Sequence, residues 1–196
     1  MKRFVSTLLL LAMVFGLVAF QCSSTELTSA KLYIQQKNLT KAKDALLKEV
    51  EKNPKSDEGY YLLGYVYGEE GNISKMLESF DKSLAASKKF ETNIKDSKIY
   101  HWSTNFNKGV GLFNRATKAA TEDTAAIFYD KSIATFRDAI ACQPDSISTY
   151  KNLTFALLNA GKEDEVVEPL EKLIELEGAA DSYAMLGEKY YNDGIK

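Results

Sequence analysis

Residues 60–80, YYLLGYVYGEEGNISKMLESF, decide the fold that this sequence predicts. Their first apolar positions recur at the three- and four-residue spacing of one helix face. These positions are Tyr60, Leu63, Gly64 and Tyr67. Gly64 lacks a side chain, so a second helix can approach it closely. Gly71 and Asn72, which tolerate the left-handed conformation, end the first helix. Residues 73 to about 84 then form a second helix, antiparallel to the first.

This spacing resembles the signature of the tetratricopeptide repeat (TPR), in which an aromatic residue, Leu-Gly and Tyr precede a small or apolar position and Phe. Met76 and Phe80 occupy the later positions. The pattern also recurs at the TPR period, since Ala30 and Gly64 are 34 residues apart. One hairpin cannot bury its apolar face alone. The resemblance implies an all-α solenoid of antiparallel helix hairpins, with about four full repeats and a partial fifth, preceded by a signal peptide.

The composition agrees with a helical chain. The 196 residues include only three prolines, and tracts rich in Ala, Leu, Lys and Glu dominate after residue 25. The formal net charge of −2 leaves no basic patch of the kind that nucleic acid requires. We therefore expect no nucleic-acid partner.

The helical domain, residues 22–196, divides into five predicted units. They span residues 23–56, 57–90, 103–146, 147–178 and, as a partial unit, 180–196. Residues 91–102 fit no repeat position and contain no Pro or Gly, so they form a linker or extend a helix. In the third unit, Phe106 and Pro144 are 38 residues apart. Because this spacing exceeds the regular one, we predict a lengthened hairpin that turns near residues 121–124, where Thr and Asp can cap a helix.

The N-terminus has the pattern of an export signal. Lys2 and Arg3 precede an uncharged, mostly apolar run over residues 4–20, so residues 1–21 are predicted to be a signal peptide. Cys22 at the end of this run resembles the lipidated cysteine of bacterial lipoproteins. The usual site has a branched aliphatic residue at −3 and a small one at −1, whereas this chain has Ala19 and Gln21. Retention of the run as a membrane anchor and cleavage by ordinary signal peptidase stay open as alternatives.

Acylation of Cys22 would give two or more chains, enough for stable anchoring to a membrane. Ser23 differs from the Asp that retains enterobacterial lipoproteins in the inner membrane. By this analogy the protein is exported to the cell envelope and anchored to the outer membrane, facing the periplasm. The other cysteine, Cys142, then has no disulfide partner, and we expect it to be a small buried hydrophobe.

No motif for catalysis, a metal or a cofactor stands out. His101, the one histidine, is expected to be a surface or capping residue. Cys/His spacings of a zinc site are absent from the sequence. Three sequons begin at Asn38, Asn72 and Asn152. The first two asparagines are interpreted as turn residues that tolerate the left-handed conformation.

In the TPR family, ligands lie along the concave face that the first helix of each hairpin lines. Carried over by position, the candidate residues have aromatic, basic or amide side chains, which suit peptide binding. They are Lys31, Tyr61, Tyr65, Asn107, Asn114, Arg115, Lys151, Phe155 and Asn159, with Leu27 beside them. The alternative is that Tyr61 or Phe155 packs against a neighbouring helix.

The predicted function is that of a non-catalytic scaffold or assembly factor of the bacterial envelope that binds a peptide or partner protein. One alternative is a small-ligand or glycan-binding protein with Tyr61, Tyr65 and Phe155 as stacking platforms. The other is the recruitment module of a longer enzyme. The last predicted helix would expose Leu186 and Tyr190, which favours a fragment of a longer protein over a face that meets a partner.

Overall fold

A computed structural model of the protein describes residues 24–178 and 180–194. This part of the chain is helical and contains no strand, so the predicted all-α class is confirmed. The predicted signal peptide and Cys22 lie outside the described residues. A short 3₁₀ turn, Glu163–Glu165, precedes the eighth α-helix. The α-helices are Thr25–Gln35 (α1), Leu39–Lys52 (α2), Asp57–Glu69 (α3), Ile73–Ala86 (α4), Glu91–Ala116 (α5), Glu122–Cys142 (α6), Ile147–Asn159 (α7), Val167–Glu177 (α8) and Ala180–Gly194 (α9).

The helices pack in antiparallel pairs, and each pair stacks on the next. Helices α1 and α2 form hairpin 1, α3 and α4 hairpin 2, α5 and α6 hairpin 3, and α7 and α8 hairpin 4. Helix α9 packs against α8. This is the architecture of a TPR-type α-solenoid, in which each hairpin buries its apolar face against its neighbours.

Two glycines, Gly64 and Gly109, lie where the second helix of a hairpin comes close to the first. A Cβ atom on Gly64 would lie 2.5 Å from the ring of Phe80. The same contact recurs in hairpin 3, where a Cβ on Gly109 would lie 2.6 Å from the ring of Phe136. Both phenylalanines are buried. The prediction that Gly64 permits close approach of a second helix is therefore confirmed.

The turns of hairpins 1 and 2 use their polar residues differently from the prediction. Gly71 has the expected positive φ of 74°. Asn38 and Asn72, however, have φ near −90° and −91°, and each side chain accepts a hydrogen bond from the backbone N–H three residues further along. Both asparagines are N-caps, a role that Asn fills well, so their predicted left-handed conformation was wrong. In hairpin 1, Lys37 adopts it instead, with φ of 57°.

Hairpins 1 and 2 are joined by a buried carboxylate. Glu49 near the end of α2 is 3% exposed. Ser24 and Ser56, the N-caps of α1 and α3, both donate hydroxyl hydrogen bonds to its carboxylate, at 2.8 Å for Ser56. The two helices therefore begin side by side. We call this side of hairpins 1 and 2, with Ser24 and the loops 53–56 and 87–90, the loop edge.

The long helix α5 displaces the next hairpin along the helix axis, relative to hairpins 1 and 2. It begins at the loop edge and runs for 26 residues without a break, so residues 91–102 are its first part. Trp102 Nε1 donates hydrogen bonds to Ser146 Oγ at 3.2 Å and to Thr149 Oγ1 at 3.1 Å. Ser146 is the N-cap of α7. Helix α7 thus begins beside residue 102, about 16 Å along α5 at 1.5 Å per residue.

The packing of α6 shows the same offset. Cys142, the last residue of α6, lies in one buried cluster with Ile73 and Met76 from the first turn of α4. In hairpin 2 this first turn lies opposite the loop edge, because α4 runs back toward the loops. The C-terminal end of hairpin 3 thus meets the far end of hairpin 2. Burial of Cys142 confirms that it is a core residue.

The two helices of the lengthened third hairpin contact each other near its turn. Phe113 of α5 and Tyr129 of α6 meet edge to face, with ring centroids 5.6 Å apart. The turn occupies residues 117–121, slightly before the predicted position, and the Thr121 hydroxyl caps α6 by accepting from the Thr124 N–H. This ring contact joins the two helices of the hairpin near its turn.

Helix α9 covers hairpin 4 on one face and is open on the other. Leu186 is partly buried against the cluster of α7 and α8, so its expected exposure was wrong. Tyr183, Tyr190 and Tyr191 are exposed. The apolar side of α9 is therefore directed at α8, and its tyrosines remain in solvent.

Candidate functional site

Lys31 connects two hairpins. Its Nζ lies 2.6 Å from Glu58 Oε1, which joins α1 to α3. Both side chains are partly exposed, and ion pairs in such positions contribute little stability. Lys31 therefore contributes a locally neutralised charge to the surface of the first helices.

Tyr61 is a packing residue. Its ring is stacked on Phe90, with centroids 4.6 Å apart and planes 6° apart, and it also contacts Phe80. Burial raises the pKa of its hydroxyl. Of the two interpretations that the sequence left open for Tyr61, the structure supports packing against a neighbouring element.

Tyr65 lies one turn further along α3 and is half-buried. Its pKa is raised chiefly by burial, and then by the nearby groups Glu69, Tyr61 and Tyr100. Tyr100, on α5, is 60% exposed. Sequence reasoning missed Tyr100 because it falls in the segment that matches no repeat position. The absence of Pro and Gly from that segment was the available signal that it is helical.

His101 is not a surface residue, so the expectation for it was wrong. It is 7% exposed, and its ring lies against Gly68, where a Cβ would be 2.5 Å from Nε2. Burial lowers the pKa of its imidazole, and the charge of Glu69 opposes this weakly. His101 is therefore held neutral in the contact between α5 and the end of α3.

The candidates of hairpin 3 lie on the second half of α5. Asn107, Asn114 and Arg115 are all exposed. The structure does not bring them into a cluster with the tyrosines of α3. They form a polar stretch on the long helix.

Hairpin 4 brings three of its candidates together. Lys151 pairs with Glu177 at 3.0 Å, and Asn159 Nδ2 donates to the Phe155 carbonyl oxygen at 2.8 Å. Phe155 itself is 56% exposed. It borders an open cleft of about 240 Å³ between α7, α8 and α9, which we call the Phe155 cleft. The cleft is lined by Lys151, Thr154, Phe155, Leu170, Leu173, Glu177, Asp181, Ser182 and Met185.

Helix α7 begins about 16 Å along α5, an offset that we call the step in α5. The candidates outside α5 fall into two groups, one on each side of this step. Lys31, Tyr61 and Tyr65 belong to hairpins 1 and 2, and Lys151, Phe155 and Asn159 to hairpin 4. In the first group the side chains mostly pack or pair within the fold. In the second, an aromatic ring remains exposed beside an apolar cleft with a charged rim.

The described residues contain no cluster of three or more His, Cys, Asp or Glu side chains that could hold a metal ion. Across residues 24–178 and 180–194, no helix has the length and apolarity needed to span a bilayer. Leu27, the candidate beside Lys31, is buried and does not line a surface.

No family model matches the sequence, and no curated protein matches it either. Solved structures that resemble it include a thermophilic TPR protein of Thermus thermophilus, with 15% identity over 87% of this chain and 84% of that one and a TM-score of 0.40. PilF of Pseudomonas aeruginosa has 18% identity, covers 87% and 68%, and has a TM-score of 0.36. PilW, described as a widely conserved type IV pilus biogenesis factor, has 15% identity, covers 85% of each chain, and has a TM-score of 0.36.

Proposed function

We propose that this protein is a non-catalytic interaction scaffold of the bacterial cell envelope, which binds a segment of a partner protein. It is exported, acylated at Cys22 and anchored to the outer membrane on the periplasmic side. The partner segment lies along the first helices of the hairpins and places an apolar side chain in the Phe155 cleft.

The exposure of Phe155 carries this proposal. A large aromatic side chain that is 56% exposed costs free energy in water, and aromatic residues are enriched where proteins bind one another. Leu170, Leu173 and Met185 supply an apolar floor, while Lys151 and Glu177 form a charged rim. An apolar centre within a polar rim is the usual anatomy of a protein interface.

The size of the cleft favours a partner side chain over a free small ligand. Small-molecule sites typically enclose roughly 300–1,000 Å³ and bury most of the ligand. The Phe155 cleft holds about 240 Å³ and is open to solvent. Glycan binding remains the second candidate, because a sugar ring could stack on the exposed Phe155.

Peptide selection with matched variants tests this function. A random peptide library is selected against the protein, and the selected peptides are measured against Phe155→Ala and against Ile127→Ala. Ile127 of α6 is the control because it is 54% exposed, nearly as much as Phe155. We expect the selection to yield peptides that bind Phe155→Ala at least about tenfold more weakly than the wild type, a loss of about 1.4 kcal/mol. The same peptides should bind Ile127→Ala as tightly as the wild type.

A glycan array probed with the same three proteins separates the second candidate. Glycans that bind in a Phe155-dependent manner, with no such peptides, would replace the proposed function by glycan binding. Peptides that bind equally to all three proteins would show that the cleft is not the site.

The anchor is tested by intact-mass analysis and membrane fractionation of the wild type and Cys22→Ala. We expect the wild type to lose residues 1–21, to gain the mass of acyl chains and to pellet with membranes. Cys22→Ala should gain no acyl mass. An unmodified wild-type protein would reject anchoring through Cys22 and leave the interaction site to the peptide experiment.

A further inference from the structure

We propose that the loop edge of hairpins 1 and 2 lies against the bilayer, and that hairpin 4 and α9 stand about 16 Å farther from it because of the step in α5. This inference rests on the proposed acylation of Cys22. It assigns a membrane-facing side to the protein and explains which surface remains open to a partner.

The tether to the bilayer is very short. Ser24 follows Cys22 by two residues, and two residues span at most about 7 Å. Ser24 is fixed in the fold, because its hydroxyl accepts from the Leu27 N–H at 3.0 Å and donates to the buried Glu49. An acylated Cys22 therefore holds the beginning of α1, at the loop edge, next to the headgroups. The two residues from Cys22 to Ser24 are too short to hold the helical domain away from the bilayer surface.

The charges of the loop edge do not by themselves set this orientation. Lys52 pairs with Glu26 and Lys88 pairs with Glu91, so much of the charge there is balanced. Lys55 and Lys89 add exposed cations that anionic headgroups tolerate. We assign the orientation to the tether, and we expect it to be insensitive to salt because screening weakens only the electrostatic part.

The step in α5 then separates the second half of the protein from the membrane. Helix α7 begins beside Trp102, whereas α1, α3 and α5 begin at the loop edge. The headgroup layer on each side of a bilayer is only about 5–8 Å thick. A separation of about 16 Å therefore leaves a water-filled space below α7. The Phe155 cleft remains accessible to a partner in the periplasm.

This orientation is measured by fluorescence resonance energy transfer. A donor dye is attached to one introduced cysteine at a time, and the acceptor dye is carried by the lipid headgroups. The variants are Lys55→Cys at the loop edge, Ser74→Cys at the opposite end of hairpin 2, and Asp145→Cys before α7, all at exposed residues. Labelling is specific in the acylated protein, because the Cys22 sulfur is blocked and Cys142 is buried with its pKa raised to about 11. Acylated full-length protein is reconstituted in vesicles with headgroup-labelled lipid.

We expect the greatest transfer from Lys55→Cys, and transfer from Asp145→Cys that corresponds to a separation about 16 Å longer. Raising the salt concentration should leave the order unchanged. Equal transfer from Lys55→Cys and Ser74→Cys would mean that the hairpins lie flat, and equal transfer from Lys55→Cys and Asp145→Cys would mean that hairpin 4 touches the membrane. Either result overturns the inference. Intact mass reports acylation separately, so a missing anchor is distinguished from a wrong orientation. A missing anchor would overturn both this inference and the proposed acylation of Cys22, while the peptide experiment decides the interaction site independently.

Discussion

Hairpins 1 and 2 meet with their first helices beginning side by side, whereas hairpin 4 begins beside the middle of α5, at the end of hairpin 2 that lies opposite the loop edge. At the first junction, the N-cap serines Ser24 and Ser56 share one buried carboxylate, Glu49. At the second, His101 packs on Gly68 and Trp102 binds the N-cap Ser146. One junction aligns helix ends, and the other joins the middle of a long helix to its neighbours.

This difference shows how an insertion changes a solenoid without breaking it. The extra residues of α5 and α6 stay helical, so backbone hydrogen bonds remain satisfied and the hairpin only becomes longer. As a result, hairpin 4 is displaced along the axis of α5 relative to hairpins 1 and 2. At the second junction, Trp102 and His101 therefore make the contacts that the N-cap serines and Glu49 make at the first. Each junction depends on different residues for its stability.

Loss of the indole should have the largest effect, because Trp102 holds the second junction. Trp102→Ala removes the hydrogen bonds to Ser146 and Thr149 and the stacking on Phe106 at 5.9 Å. We expect a loss of about 3 kcal/mol in the free energy of unfolding. Circular dichroism during urea unfolding measures it, since the chain has no other tryptophan for fluorescence.

Trp102→Phe is the matched control, because it keeps a ring but no donor. It should lose about 1 kcal/mol, the value of the hydrogen bonds. If Trp102→Ala were as stable as the wild type, the second junction would not depend on this contact.

The first junction should respond to removal of its carboxylate. Glu49→Ala leaves the hydroxyls of Ser24 and Ser56 without their acceptor, and we expect a loss of about 2 kcal/mol. Glu49→Gln keeps an acceptor oxygen and should cost less. Urea unfolding of both variants measures the effect, and a Glu49→Ala protein of unchanged stability would contradict the assigned role of the carboxylate.

The close contact between Gly68 and His101 at the second junction is tested by adding a methyl group at Gly68. The added Cβ would lie 2.5 Å from His101 Nε2, so Gly68→Ala must displace the imidazole. Part of this strain is offset by the better helix propensity of Ala. We expect a net loss of about 1 kcal/mol. Gly111→Ala is the control, because no atom outside its own stretch of helix backbone lies within 4 Å of its Cβ position, and it should be neutral or stabilising.

We also expect the stability of the second junction to depend on pH. Burial lowers the pKa of His101 from its ordinary value of 6.5, so the unfolded chain binds the proton more readily than the folded one. The contribution to stability is complete above about pH 6.5 and is lost as the pH falls below it, by at most about 1.4 kcal/mol per pH unit. Urea unfolding between pH 7 and 5 should show this slope in the wild type and not in His101→Gln.

The sequence predicted the features that the repeat pattern encodes. The second helix approaches Gly64 closely as expected, with Phe80 at the point of approach, and Cys142 is buried. These predictions succeeded because periodic spacing fixes which residues share a helix face. The roles of Asn38 and Asn72 were wrong in detail, since an Asn beside a turn can either cap the next helix or adopt a left-handed conformation, and its neighbours decide between them.

One sequence did not allow us to predict the step in α5, or which candidate side chains are packed in the fold and which are exposed. Residues 91–102 match no repeat position, so nothing in the pattern set their level against hairpin 2. His101 and Tyr61 became packing residues because Gly68 and Phe90 lie beside them in space. Exposure of Phe155 likewise depends on where α9 lies. Each of these outcomes is a tertiary contact between distant parts of the chain.

The most direct test of the step is a set of NMR contacts from the single tryptophan and the single histidine. We predict nuclear Overhauser effects from the Trp102 indole N–H to the Thr149 methyl group, and from the His101 ring to the Gly68 α-protons. These would place the beginning of α7 beside residue 102 of α5. Contacts of Thr149 with residues near Glu91 instead would align α7 with the loop edge and contradict the stepped arrangement.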